Sequence, residues 1–215
     1  MNQAKATAVI VSYRSRATLG RALEQAHRCV EAGLLADVVV VDNDSNDGSV
    51  EYVHEAHPWV TLIESGGNLG FARGCNLGFK HVHTPYLLLL NPDAVMPADA
   101  LRRMIEFMDA HGDCGIVGPA IREPDGSLQH AGGLATPGRI LKSAAGLGTP
   151  YPMRRDITPG DPPRETDWVC GAIMLIRSDL WRRLHGFDPR FFLYWEETDF
   201  CKRAHEQGAR IWALG

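Results

Sequence analysis

Long apolar runs are missing from this chain of 215 residues: no stretch approaches the roughly 20 consecutive apolar residues that cross a bilayer. The opening Met1-Asn2-Gln3-Ala4-Lys5-Ala6-Thr7 leads into a short apolar run and lacks the longer core and cleavage region of a signal peptide. Basic charge is not in excess. The formal net charge is −4, which leaves no electrostatic footprint for nucleic acid, so no such partner is expected. Cysteines are few: Cys29, Cys75, Cys114, Cys170 and Cys201 are odd in number, scattered and never in a C-x-x-C pair. That disfavours a disulfide framework and a paired-cysteine zinc site, and suits reduced thiols in a cytoplasmic protein. Neither G-x-G-x-x-G nor G-x-x-x-x-G-K-[ST] occurs, which disfavours the two common phosphate-loop classes. Internal repeats and low-complexity tracts are absent too.

What is present suits one globular domain, 45% hydrophobic and 22% charged. Ala8-Val9-Ile10-Val11, Val38-Val39-Val40-Val41 and Leu87-Leu88-Leu89-Leu90 read as strands, with Val60-Thr61-Leu62-Ile63 a shorter one. Such unbroken apolar runs suit a parallel sheet covered on both faces. Helical spacing fills the intervals at 18–29, 49–57 and 70–82, giving the βαβα rhythm of a doubly wound α/β domain. An amphipathic helix is expected over 97–111, with Leu101, Met104, Ile105 and Met108 on one face. Residues 122–166 are rich in Gly, Pro, Ser and Thr, the composition of a lid or binding loop. Structure is expected to resume at Trp168 with the apolar run 169–176, followed by helical segments over 179–184 and 196–206.

Doubly wound folds bind ligands beyond the carboxyl ends of their strands, so the residues that follow each apolar run matter most. The first run leads into Ser12-Tyr13, the second into Asp42-Asn43-Asp44-Ser45-Asn46-Asp47-Gly48-Ser49. Acids and amides there can accept from a ribose hydroxyl or a base N–H. The same residues read equally as a polar turn in which Asp47 and Ser49 cap a helix. Gly67-Asn68-Leu69-Gly70-Phe71-Ala72-Arg73-Gly74-Cys75-Asn76 offers close backbone approach and helix N–H groups to an anion, with Arg73 as a charge for a diphosphate. A purely structural helix entry is the alternative. Asn91-Pro92-Asp93-Ala94 presents a carboxylate suited to Mg²⁺ or Mn²⁺, which complete their shells with phosphate and water. A plain turn is the other reading. Finally, Phe192-Leu193-Tyr194-Trp195-Glu196-Glu197-Thr198-Asp199-Phe200 sets two adjacent carboxylates among aromatics at a helix start. One can serve as a general base, although first-turn acids are also what a helix dipole favours.

In their order, V-S-Y, V-V-D-N-x-S-x-D-G-S, G-N-x-G-F-A-x-G-x-N, L-N-P-D and W-E-E-x-D resemble the family 2 glycosyltransferases, nearest to bacterial rhamnosyltransferase-like members. The resemblance runs from about Ala8 to the C-terminus. It implies a GT-A fold, a single Rossmann-like α/β domain over 1–215 with a mostly parallel central sheet and helices on both faces. Residues 8–120 would then form the nucleotide-sugar half, 121–167 a flexible loop region and 168–215 the acceptor and catalytic half. By position, Ser12 and Tyr13 would lie near the nucleobase, and Asp42 and Asn43 would contact base or ribose. Asn68 and Arg73 would belong to the donor site. Asp93 matches the last carboxylate of the family's D-x-D metal motif, with Asn91 in place of the first, so a divalent metal (Mg or Mn) is implied. Trp168, Gly171 and Ala172 would line the donor-sugar and acceptor pocket. Glu197 would be the base and Glu196 would orient the acceptor.

The implied reaction is inverting, metal-dependent transfer of a hexose, rhamnose first, from a nucleoside-diphosphate donor to a saccharide or lipid-linked acceptor. Its setting would be cell-surface polysaccharide synthesis at the cytosolic face of the membrane, by peripheral association. Family members carry a further C-terminal segment with a metal-binding histidine. This chain stops at Gly215 where that segment should begin, and His81, His83 and His205 do not match it, so a truncated end is expected. The missing first acid and histidine leave a second reading, a degenerate GT-A domain that binds nucleotide or glycan without turnover.

Overall fold

The computed structural model describes residues 4–123, 125–128, 130–132, 145 and 154–215. The four apolar runs become neighbouring parallel strands: β1 (Ala6–Ser12), β2 (Leu35–Asp42), β3 (Thr61–Glu64) and β4 (Tyr86–Leu90). Helices α1 (Arg16–Glu31), α2 (Ser49–Ala56) and α3 (Phe71–Phe79) connect them. Then follow α4 (Ala98–Ala110), β5 (Cys114–Pro119), β6 (His130–Gly132), β7 (Arg154–Asp156) and β8 (Arg164–Glu165). β9 (Ile173–Arg177), α5 (Ser178–Arg183), α6 (Glu196–Glu206) and β10 (Arg210–Leu214) finish the chain. The main sheet has the order β3-β2-β1-β4-β9-β5-β10-β8, and β6 pairs with β7 apart from it.

Both faces of this sheet are covered, which is why its central strands have no polar alternation. Ala8, Ile10, Val38, Val40, Leu88 and Leu90 face a core shared with α1 and α4. Their neighbours Val9, Val11, Val39, Val41, Leu87 and Leu89 face a second core shared with α3, α5 and α6. Helix α3 lies close to β1 because two glycines form its contact face. A Cβ at Gly74 would sit 2.7 Å from Val11 Cγ1, and one at Gly78 would sit 2.5 Å from Val9 Cγ1. All five cysteines are free thiols, and no described helix is long and apolar enough to cross a membrane.

The main sheet is mostly parallel, as expected, and its antiparallel pairs lie in its second half. β9 is antiparallel to both β4 and β5, and the apolar run from Val169 enters the strand only at Ile173. Strand β5 has no unbroken apolar run to announce it, whereas β10 carries the short run Ile211-Trp212-Ala213-Leu214. Gly115 and Gly118 interrupt β5, where a Cβ at Gly118 would meet the Val169 side chain at 2.6 Å. β10 is held by parallel pairing to β5 over Ile211–Leu214. Within the stretch expected as a lid, β6, β7 and β8 are formed, while residues 124, 129, 133–144 and 146–153 lie outside the described residues.

The glycine contact gives a test of how α3 is seated. Gly78→Val should cost roughly 1–3 kcal/mol or more, because an overpacked interface must move helix or strand. Urea unfolding checks it, and a midpoint equal to the unsubstituted chain would refute the close packing.

Candidate active site

At the carboxyl edge of the sheet, Ser12 stands opposite Asp42 in the β1–β2 register, and Asp42 opposite Glu64. The turn after β2 spends most of its polar groups on the scaffold. The Asn43 N–H donates to the Ser12 carbonyl at 2.7 Å. Its side chain accepts from Leu69 N–H at 3.0 Å and donates to Gly70 O and Asn68 Oδ1. Asn68 Oδ1 also accepts from Gly70 N–H, so this amide pair shapes the glycine-rich turn. Ser45 Oγ accepts from the Arg14 N–H at 2.9 Å. Asp47 ties two helix starts together, accepting from Arg16 N–H at the start of α1 and from Ser49 N–H and Oγ–H at the start of α2. Asp47 thus serves the first residues of both helices as an acceptor, while Ser49 is itself the first residue of α2, behind Gly48 at the N-cap.

Two groups in this corner are left over. Asp42 is 3% exposed; its Oδ2 accepts from Ser45 N–H, yet its Oδ1 is buried with no hydrogen-bond partner. Ser12 Oγ is buried and unpartnered in the same way. Buried polar atoms are nearly always paired, so two orphans side by side at a strand end point to a ligand that completes them. Tyr13, the next residue, is exposed with the Arg14 guanidinium 5.2 Å from its ring centroid. Arg73 is exposed on α3, and its Nε donates to the Pro189 carbonyl at 3.0 Å.

Antiparallel β9 brings the second group of residues to the same edge. Beyond the last β4–β9 pair, Leu90 with Ile173, the Asn91 N–H donates to the Ala172 carbonyl at 2.9 Å. Asp93, two residues on, is exposed and makes no hydrogen bond among the described residues. Trp168 is half-buried and exchanges backbone hydrogen bonds with Gly132 of β6. Gly171 faces α6: a Cβ there would stand 3.4 Å from both Cβ and Cγ of Glu197. The sheet edge, Asn91, Ala172, Gly171 and Glu197 thus form one continuous contact path.

Glu196 and Glu197 open α6, after Tyr194 and Trp195 in left-handed conformations with φ of 70° and 75°. Such conformations cost non-glycine residues on the order of 1–3 kcal/mol each and cluster at functional sites. Phe192, Leu193, Tyr194 and Trp195 are all exposed, whereas Glu196 beside them is only 4% exposed with its Oε2 unpartnered. Burial, reinforced by the charge of Glu197, pushes the Glu196 carboxyl up to about 7. Burial also raises Glu197, against the lowering pull of backbone N–H groups at the helix start. The deep burial of Glu196 and the use of Asn76, which bonds Phe187 through both ends of its amide, carried no sequence signal of their own. Both depend on which face of a helix meets which loop.

Among the described residues no group of three or more His, Cys, Asp or Glu side chains could by itself hold a metal ion. His205 Nε2 stands 4.0 Å from Asp167 Oδ1.

Residues 7–183 match the model of "Glycosyl transferase family 2". Among characterised relatives, the N-acetylglucosaminyl-diphospho-decaprenol L-rhamnosyltransferase of Mycobacterium tuberculosis is 25% identical over 191 residues, covering 80% of this chain and 61% of that protein. Rhamnosyltransferase WbbL of Escherichia coli is 27% identical over 157 residues, covering 68% of this chain and 58% of its own length. This chain therefore spans about 60% of the relatives it matches. The mannosyltransferase PcManGT from Pyrobaculum calidifontis, solved with GDP-Man and Mn²⁺, superposes with a TM-score of 0.69 at 19% identity, over 98% of this chain and 55% of that one. With the GT-A fold in common and a family match over most of its length, the chain belongs to glycosyl transferase family 2.

Proposed function

We propose that this chain is the catalytic domain of an inverting glycosyltransferase that moves a hexose, rhamnose first, from a nucleoside-diphosphate donor to a hydroxyl of a saccharide or lipid-linked acceptor. The observation that carries the proposal is the meeting, at one sheet edge, of the unpartnered Ser12 and Asp42 groups with Asp93 and the Glu196–Glu197 pair. Rhamnosyltransferases among the relatives support rhamnose as the sugar. Cell-surface polysaccharide synthesis at the cytosolic face of the membrane is the setting that goes with such an acceptor. Residues 8–120 serve the donor, 168–215 the acceptor and the chemistry, and 121–167 lie between them.

The roles we assign are these. Ser12 Oγ and Asp42 Oδ1 take up the base or ribose, with Tyr13 beside them as a ring to lie against the base. Asn43 and Asn68 hold the glycine-rich turn in shape for the donor. Asp93 is the residue that would hold Mg²⁺ or Mn²⁺, with Asn91 behind it. Its exposed and uncommitted carboxylate fits an ion that completes its shell from diphosphate oxygens and water rather than from a protein cage. Such an ion, when bound, neutralises charge on the departing diphosphate. Trp168, Gly171 and Ala172 border the space between donor sugar and acceptor.

Glu197 takes the proton of the acceptor hydroxyl as that oxygen bonds to the anomeric carbon. The bond from that carbon to the diphosphate oxygen breaks on the opposite face, so configuration inverts. Glu196 is too buried to serve as freely and stays protonated up to about pH 7, which leaves the negative charge with Glu197. Its part is to orient the acceptor. Burial of Glu197 strengthens its basicity, and the helix start keeps it ionisable.

Three outcomes test this reading. Thymidine or uridine diphosphate should bind in calorimetry with Mn²⁺ present, and Asp93→Ala should weaken that binding at least about tenfold, one lost charge-assisted contact being worth about 1.5–3 kcal/mol. Metal-independent binding would instead favour a domain that holds nucleotide without turning it over. Glu197→Gln should lower transfer by about 10²–10⁴-fold, the usual worth of a general base, at unchanged nucleotide affinity. Equal activity in that variant would remove Glu197 from the chemistry. Glu196 also sets a pH dependence of stability. Its carboxyl titrates near 7 when folded, against an ordinary value of 4.5, so the folded chain keeps a proton that the unfolded chain has released between those values. Stability from this group therefore falls as pH rises from about 4.5 to about 7, and above that a buried charge remains. Glu196→Gln should be more stable relative to the parent at pH 8 than at pH 4, and urea melts that show the same difference at both would contradict the buried titration.

A further inference from the structure

The segment that leads into Glu196 and Glu197 lies against α3, and three of its main-chain positions are fastened there. Asn76 donates from Nδ2 to the Phe187 carbonyl at 2.8 Å and accepts from the Phe187 N–H at 3.0 Å, so one side chain acts as a two-bond backbone rung. Arg73 Nε donates to the Pro189 carbonyl at 3.0 Å. The Phe71 N–H at the helix start donates to the Phe192 carbonyl at 2.8 Å. Residues 76, 73 and 71–70 climb one face of α3 toward its N-terminus while the partners advance from 187 to 192, so the two run antiparallel. Glycine is required where they touch: a Cβ at Gly70 would collide with the Phe192 carbonyl, and one at Gly186 with Asn76 Oδ1. From the other side, Arg203 of α6 donates to the carbonyls of Leu184 and Gly186 at 2.8 and 3.0 Å. Beneath, Phe187 meets Trp181 at 4.8 Å and Phe200 of α6 at 5.5 Å between ring centroids.

We propose that Arg73 and Asn76 are positioning residues for the Glu196–Glu197 pair, holding its lead-in segment on α3, rather than ligands of the donor diphosphate. The proposal rests on the function given above for those two carboxylates. Their placement needs such a frame, because the chain enters α6 through two left-handed residues whose side chains point to solvent and give little packing. The same helix entry joins the frame to the donor side: Gly70, pressed against Phe192, also gives its carbonyl to Asn43 Nδ2 and its N–H to Asn68 Oδ1.

The test compares Arg73→Ala, Arg73→Lys and Asn76→Ala in the whole chain, by amide hydrogen exchange, nucleotide calorimetry and transfer kinetics. Loss of one hydrogen bond should speed exchange over residues 187–195 by about 2- to 10-fold, and loss of both Asn76 bonds by more. Nucleotide affinity and donor KM should stay within about twofold while kcat falls by about 10- to 100-fold, the effect of a misplaced reacting group. Arg73→Lys, which keeps a donor for the Pro189 carbonyl, should recover part of kcat. If Arg73→Ala instead weakens nucleotide binding about tenfold or more with exchange over 187–195 unchanged, Arg73 is a diphosphate ligand and the proposal is overturned. Exchange needs no turnover, so it decides the fastening even where the chain proves to lack transferase activity. That lack would sink the functional reading separately.

Discussion

β9 runs against β4 and β5, and this reversal brings Ala172 and Gly171 out of the sheet at the edge where β1, β2 and β4 leave it. A parallel strand in that place would enter the sheet from the opposite side, and its lead-in residues would emerge away from Ser12, Asp42 and Asp93. The Asn91–Ala172 hydrogen bond extends the antiparallel ladder one step past the last strand pair. Gly171 then meets Glu197 through the bare main chain. The orientation of one short strand thus joins a nucleotide-type corner to a pair of carboxylates more than a hundred residues away in sequence.

Around that joint, hydrogen-bonding groups divide between those that build the site and those left for something else. In the turn after β2, Asn43, Ser45 and Asp47 are consumed by β1, by the glycine-rich turn and by the first residues of α1 and α2. Asp42 Oδ1 and Ser12 Oγ remain, buried and unpartnered, at a cost of about 1–3 kcal/mol for each unsatisfied group. Such costs persist where a ligand removes them. Glu196 carries a similar load, an orphaned carboxyl oxygen in a nearly closed position.

Legibility in the sequence follows burial on two faces. β1, β2 and β4 could be read from their apolar runs because both faces of the sheet are covered there, and α6 was read to its ends, Glu196 and Glu206. β5 could not, since glycines at 115 and 118 make room for Leu180 and Val169 and so erase the run that marks a strand. The reversal of β9 was equally hidden, because strand direction is a property of topology that four apolar residues do not encode. Site residues fared likewise. Acids and amides at strand ends announced a polar edge, but Asn43 and Asp42, adjacent in sequence, face opposite duties. Only the tertiary contacts of the glycine-rich turn separate them. The structure likewise turns Arg73 toward Pro189, a partner that no local pattern foretells.

Fastening by main-chain atoms has a consequence for how such a domain can vary. The carbonyls of Phe187, Pro189 and Phe192 carry the attachment of the lead-in segment, while the side chains of residues 192–195 project into solvent. Substitution of Leu193, whose side chain projects beyond the Phe192 contact with Gly70, alters the surface beside the carboxylates without unpicking the frame. Substitution at Gly70 or Gly186 does the reverse. The segment therefore behaves as a fixed bracket with an interchangeable face, and change of the exposed surface is separable from the placement of the carboxylates.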